Sequence, residues 1–158
     1  PDLAVTSDVI VGFPGESEDE FQETYDFIVN HHFSELHVFP YSPRIGTPAA
    51  RMDNQIDEET KNVRVHKLIS LSNQLAKEYA SKFEDEVLEV IPEEMGEEPH
   101  TLVGYADNYM KVRFEGDDSL IGQIVKVKIV KANYPINEGK AIRVVKHATN
   151  QSEKEVLV

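Results

Sequence analysis

The sequence predicts an α/β segment followed by a small all-β barrel. Three observations predict this. Strand and helix periodicities alternate up to about residue 84, short alternating strands separated by Gly/Asp/Asn turns fill much of the rest, and the charge changes sign along the chain. Residues 1–99 carry 7 Lys+Arg against 22 Asp+Glu, a net −15, whereas residues 100–158 carry 9 against 7, a net +2. The formal charge of −13 over all 158 residues hides that division, and +2 in the second part leaves room for a polyanionic partner.

Val9-Ile10-Val11 is a β-branched run ended by Gly12-Phe13-Pro14-Gly15, which reads as a buried strand and a tight turn. Ser17 and Glu20 have capping-box spacing, so a helix follows, with Phe21, Tyr25, Ile28 and Val29 on one face to about His32. Leu36 to Phe39 is a second strand, running into the loop Pro40 to Pro48. After Asp57 a long helix extends to about Phe83, with Val65, Leu68, Leu71, Leu75 and Tyr79 on its apolar face. The order strand, helix, strand, helix implies parallel pairing.

The pattern changes from Val87. Thr101–Tyr105, Tyr109–Phe114, Ile121–Lys131 and Ala141–Lys146 read as strands, while the acidic stretch Pro92 to Pro99, bracketed by prolines, reads as a loop or linker. The expected division is 1–84 for the α/β part, 85–148 for the barrel and 149–158 for a flexible tail. Val125, Val127 and Ile129 alternate with Lys126 and Lys128, and Met110, Val112 and Phe114 with Tyr109, Lys111 and Arg113, so each strand has an apolar face and a cationic one.

Composition excludes several functions. With no Cys, these residues supply no disulfide, thiolate metal site, cysteine-held iron–sulfur cluster or thiol nucleophile. No uncharged apolar run approaches the ~20 residues of a membrane span. Pro1-Asp2-Leu3 has neither an initiator Met nor a signal-peptide pattern, and a strand follows almost at once, as expected of a fragment or processed product.

The Gly12-to-Glu16 turn occupies the place where α/β proteins bind ligands, yet Gly and Pro satisfy turn geometry without one. Arg44 suits a carboxylate or phosphate, or simple solvation. His31, His32 and His37 lack ligand spacing, and the acidic runs at Glu18 and Asp57 fit helix starts. No catalytic or metal-binding residue is identified. Lys111, Arg113, Lys126, Lys128, Lys131 and Arg143, with Tyr105 and Tyr109 nearby, fit either an RNA-binding face or an ordinary solvated one.

Asp8-Val9-Ile10-Val11-Gly12-Phe13-Pro14-Gly15-Glu16, then His37-Val38-Phe39-Pro40-Tyr41-Ser42-Pro43-Arg44-Ile45-Gly46-Thr47-Pro48-Ala49, with a long helix and a β-barrel behind them, resemble the C-terminal part of the radical S-adenosylmethionine tRNA methylthiotransferases. The second segment and Val103 to Tyr109 most resemble the MtaB-type branch, which acts on threonylcarbamoyladenosine. The resemblance implies the last strand–helix units of a partial (β/α) barrel followed by an OB-like TRAM domain. It implies an enzyme that methylthiolates C2 of a modified adenosine beside the anticodon, using S-adenosylmethionine and two 4Fe–4S clusters.

Because the cluster cysteines are absent, this segment is expected to be inactive alone and to supply tRNA binding and part of the cofactor pocket. Against the GxIxGxxE motif of radical S-adenosylmethionine domains, Ile10 and Gly12 match, while Asp8 and Gly15 stand at the first Gly and the Glu. The resemblance assigns Ile10, Gly12 and the backbone after Val38 to the cofactor and Arg44 to substrate. Charge and strand alternation, with a TRAM domain implied, lead to the expectation that Lys111, Arg113, Lys126, Lys128 and Arg143 grip phosphates and that Tyr105 or Tyr109 stacks. Expected partners are the tRNA anticodon stem-loop and N-terminal domains of the same protein, in the cytoplasm, with self-association of the exposed α/β edges. The competing readings are a stand-alone RNA- or protein-binding module and an independent small-molecule α/β enzyme.

Overall fold

A computed structural model describes residues 2–145 and 156–157. The chain forms two compact units, one of them Ala4–Ala76. In that unit β1 (Thr6–Val11) and β2 (Glu35–Pro40) pair in parallel, from Thr6 opposite Glu35 to Val11 opposite Pro40. The intervening α1 (Glu18–His31) supplies the crossover that parallel pairing requires. Its start is the predicted capping box: the Ser17 hydroxyl accepts the Glu20 N–H at 3.2 Å, and the Glu20 carboxylate accepts the Ser17 N–H at 2.8 Å.

The second helix, α2 (Glu58–Ser81), begins in this unit. Val11, Phe21, Ile28, Leu36, Leu68, Leu71 and Leu75 form the core, with Val9 and Val38 packed against it. The Ser72 hydroxyl of α2 accepts the Leu36 N–H at 2.9 Å, fixing the helix against β2. Strand alternation turns Ile10 and Phe39 to the other face, where they are exposed. They are register partners, so they form one apolar patch.

The second unit holds a closed barrel of β3 (Val87–Met95), β4 (Thr101–Ala106), β5 (Lys111–Glu115), β6 (Ile124–Lys131) and β7 (Asn137–Val145). The order is β5-β4-β3-β6-β7, and a parallel β5–β7 pairing closes it. A short β8 (Val156–Leu157) extends β7. Val90, Leu102, Val112, Phe114, Val125, Val127 and Ile129 fill the interior. The five-stranded closed barrel is consistent with the expected OB-like domain.

The stretch read as a linker is in part a barrel strand. β3 runs through Pro92 to Met95 and pairs with both β4 and β6. A bulge between Pro92 and Glu94 accommodates the ring that lacks an N–H, and Pro92 itself is buried in the core. Opposite it stands Gly104, whose place permits no Cβ, because one would strike the Ile91 carbonyl oxygen and Pro92 Cα. The strand predicted for Ala141–Lys146 begins earlier, at Asn137, and Lys146 lies outside the described residues, as does the predicted tail 149–158 apart from 156–157.

Two outcomes follow. Gly104→Ala should cost the barrel about 1–3 kcal/mol in denaturant titration, by forcing β3 and β4 apart. In hydrogen exchange, the Val90, Val125 and Val127 amides should outlast those of β1 and β2. Equal protection would show that the two-stranded sheet is as stable as the closed barrel.

Candidate functional site

At the carboxyl ends of β1 and β2, Ile10, Phe39, Pro40, Tyr41, Ser42, Arg44, Thr47 and Ala49 line an open cleft of about 500 Å³. Its floor is the exposed Ile10–Phe39 patch, and its wall is the loop following β2. The Tyr41 N–H donates to the Val11 carbonyl at 2.8 Å, which anchors the start of this loop to the end of β1. Further on, the Thr47 N–H and hydroxyl both donate to the Arg44 carbonyl, at 3.1 and 2.8 Å, around Gly46 at φ +92°. That tight turn holds Arg44 at the rim and leaves Ile45 fully exposed at its apex.

The turn after β1 is held from beneath. The Gly12 N–H donates to the Glu16 carboxylate at 2.6 Å, and the same oxygen accepts from Arg64 Nη1 at 2.6 Å. Arg64 Nη1 also donates to the Glu16 carbonyl at 3.0 Å, and Nη2 to Glu18 at 3.2 Å. That guanidinium holds the Glu18 carboxyl below its ordinary range. The Lys61 stem packs where a Gly12 Cβ would sit, 2.5 Å from its Cγ, while its ammonium reaches Glu58 at 2.8 Å. Only glycine therefore fits, at φ +72°.

On the barrel exterior, Ile91, Tyr105 and Lys111 form one row across β3, β4 and β5, with the Lys111 ammonium 5.7 Å from the Tyr105 ring centroid. Tyr109, in the β4–β5 turn, is 72% exposed at φ +64°. A bulky aromatic in that region bears a local strain of about 1–3 kcal/mol. Its N–H donates to the Ala106 carbonyl at 3.0 Å, which holds the turn closed.

The predicted cationic face is largely neutralised by the barrel's own acids. Lys111 lies 3.5 Å from Glu94, Arg113 lies 3.2 Å from Glu98 and 3.8 Å from Glu138, Lys126 lies 3.9 Å from Glu89, and Lys128 lies 2.9 Å from Asp85. Arg143 stands opposite Lys126 in the β6–β7 register. Asp85, Glu89, Glu94 and Glu98 lie before residue 99 in the charge split, yet they pair with the barrel's cations. Over residues 82–142 there are 7 Lys+Arg and 13 Asp+Glu, a net −6 in place of the expected basic character.

Among the assigned residues, Ile10 and Arg44 share the cleft, and Gly12 follows directly on β1. The Val38 assignment concerns backbone, which lies within β2; the Val38 side chain packs toward the helical core, and Phe39 is the register partner of Ile10. Glu16, Lys61 and Arg64 were missed. Their signal was present: Lys61 and Arg64 continue the Leu68-Leu71-Leu75 stripe of α2, and charges on an apolar stripe call for internal partners. No group of three His, Cys, Asp or Glu among the described residues is arranged for a metal ion. No helix among them is long and apolar enough to cross a membrane.

Comparison with known proteins places a TRAM domain at residues 82–142. The chain is 69% identical over 148 residues to the threonylcarbamoyladenosine tRNA methylthiotransferase MtaB of Bacillus subtilis, covering 92% of this chain and 33% of that protein. It is 40% identical over 145 residues to the tRNA-2-methylthio-N(6)-dimethylallyladenosine synthase of Aquifex aeolicus, covering 92% and 32%. Against the synthase of the same name from Geobacillus thermodenitrificans it is 41% identical over 133 residues, covering 84% and 25%. The chain thus spans a third or less of the length of these curated relatives.

The ion pairs have a pH signature. The hydrogen bond from Lys128 holds the Asp85 carboxyl below its ordinary range. A depressed carboxyl stabilises the fold above its unfolded value, and that contribution disappears as pH falls through the folded one. In Lys128→Met, the Asp85 titration followed by NMR should move up toward an ordinary aspartate. An unmoved titration would show that the pair does not persist in solution.

Proposed function

From the premise that residues 82–142 are a TRAM domain in a chain related along most of its length to the tRNA methylthiotransferases, we propose that the barrel binds tRNA near the anticodon and that the α/β unit forms part of the catalytic pocket. The reaction is methylthiolation at C2 of a modified adenosine. The 69% identity to the Bacillus subtilis enzyme favours threonylcarbamoyladenosine as the substrate. The α/β unit is read as the last strand–helix units of a larger (β/α) barrel. Its open face, with Ile10 and Phe39 exposed, supports that reading, because parallel sheets ordinarily have both faces covered.

The cleft fits S-adenosylmethionine in kind: Ile10 and Phe39 offer an apolar surface to adenine, and Tyr41, Ser42, Arg44 and Thr47 offer polar groups at the rim. When bound, that cofactor supplies the radical and the methyl group. The chain's own residues bind and orient it: Ile10 against the ring, the Gly12 backbone at the strand end, and Arg44 toward an anionic group of cofactor or substrate. A 4Fe–4S cluster does not fit these residues, since no Cys is present, so its thiolates belong to other parts of such an enzyme.

The observation that carries RNA binding is Tyr109, an aromatic residue held exposed in a strained turn between β4 and β5, the strands that carry Tyr105 and Lys111. On a barrel of net −6, stacking rather than an open basic face supplies the recognition, and the paired cations exchange carboxylate for phosphate. Titration of tRNA binding against salt tests this. Tyr109→Ala should cost about 1–3 kcal/mol of affinity with the salt slope unchanged. Charge reversal at Lys126 and Lys128 should weaken binding and flatten the slope, while Glu89→Gln with Glu94→Gln should strengthen and steepen it. Unchanged affinity in all three would remove this face as the contact surface.

A further inference from the structure

Buried charge is sparse in the α/β unit and is concentrated behind one turn. Arg64 is 4% exposed and Lys61 2% exposed, one helical turn apart on α2, and both face the Gly12-to-Glu16 segment. The Arg64 guanidinium also lies 5.3 Å from the ring centroid of Phe21, itself fully buried. A buried ion pair seldom stabilises a fold more than a well-packed apolar replacement, and this one leaves Arg64 Nε buried without a partner. Fold stability is therefore a weak reason for its presence. What the pair does accomplish is geometric: one carboxylate oxygen of Glu16 joins the Arg64 guanidinium to the Gly12 N–H, through two 2.6 Å bonds.

We propose that Arg64 is a positioning residue that acts through Glu16 to hold the Gly12 backbone, and with it the end of β1 where Ile10 meets the cleft. Arg64 can do this where a lysine cannot, because its planar fork donates to the Glu16 side chain, the Glu16 carbonyl and Glu18 together. Three other contacts close the same frame. Lys61 fills the space against Gly12, the Gly15 N–H donates to the Asn54 carbonyl at 2.8 Å, and the Tyr41 N–H donates to Val11 at 2.8 Å. The carboxylate that the GxIxGxxE comparison expects at position 15 is supplied from the next residue, Glu16, and reaches back four positions. The consequence for S-adenosylmethionine rests on the pocket reading proposed above. A preorganised strand end binds adenine without first paying to order the turn, so loosening it lowers affinity with no contact removed.

The test uses the ¹⁵N-labelled chain with S-adenosylmethionine as the probe. The Gly12 amide proton, bonded at 2.6 Å to the Glu16 carboxylate, should resonate well downfield. In Arg64→Lys it should move upfield, and affinity per folded molecule should fall about tenfold, with the Leu68 and Leu71 methyl resonances in place. A tenfold fall corresponds to about 1.4 kcal/mol. If Arg64→Lys does not fold, Glu16→Gln takes its place, since it keeps the shape and weakens both bonds. A Gly12 resonance that stays put in a folded variant overturns the proposal, as does unchanged affinity in a chain that binds the probe. Should the unmodified chain show no response to S-adenosylmethionine, the pocket reading fails, and the Gly12 resonance alone decides whether Arg64 holds the turn.

Discussion

Lys61 and Arg64 in the α/β unit, and Lys111, Arg113, Lys126 and Lys128 in the barrel, find counter-charges among the chain's own acids, and the local geometry of both units uses that. In the α/β unit, the Glu16 carboxylate between Arg64 and the Gly12 N–H decides how the chain leaves β1. Without it, Gly12 at φ +72° would lose the acceptor for its N–H and rely on the Lys61 packing and the neighbouring backbone bonds alone. In the barrel, Glu89, Glu94, Glu98 and Asp85 hold the outward-facing cations to the strand surface. A net charge of −13 therefore does not describe a uniformly repulsive surface. It describes an excess of acids, part of which is spent internally.

Much of the fold was legible because local signals and tertiary packing agree. Ser17 and Glu20 cap α1 as their spacing requires, and Leu68, Leu71 and Leu75 lie on the buried face of α2 as their period requires. β3 was not legible as a strand. Pro92 and the acids around it carry the composition of a linker, and what makes them a strand is non-local: a bulge, Gly104 opposite, and two flanking strands. The error about β3 produced the error about charge. Once 92–95 is a barrel strand, its acids face the barrel's cations, and the +2 calculated for residues 100–158 ceases to describe any physical surface.

The candidate site was legible where a local motif carries its residues and obscure where support comes from a distance. Ile10, Gly12 and Arg44 were reached through their resemblance to a family pattern, and the structure gathers them at one strand end. Phe39, which no motif singled out, shows what strand register adds to a sequence pattern. In a parallel pair the residue beside Ile10 is its register partner Phe39, and Val38 necessarily points the other way. Arg64 is 48 residues from Glu16, a separation that no local pattern spans, although a charge on an apolar stripe could have raised the question.

The internal pairing of the barrel's cations bears on how selective the RNA recognition proposed for it is. A free basic stripe binds any polyanion and loses affinity steeply as salt rises, because each neutralised phosphate releases counterions. A face whose cations already hold carboxylates must give up an internal pair for each phosphate it gains, so the electrostatic return per contact is small. Discrimination then falls to groups with no internal partner for their chemistry, and the exposed ring of Tyr109 is one. In the proposed complex such a ring suits a base that is already unstacked, as in a loop, and offers little to a duplex. Strain in the Tyr109 turn supports that division of labour, since a ring free to fold back against the barrel would lose the preorganisation that compensates for weak charge attraction.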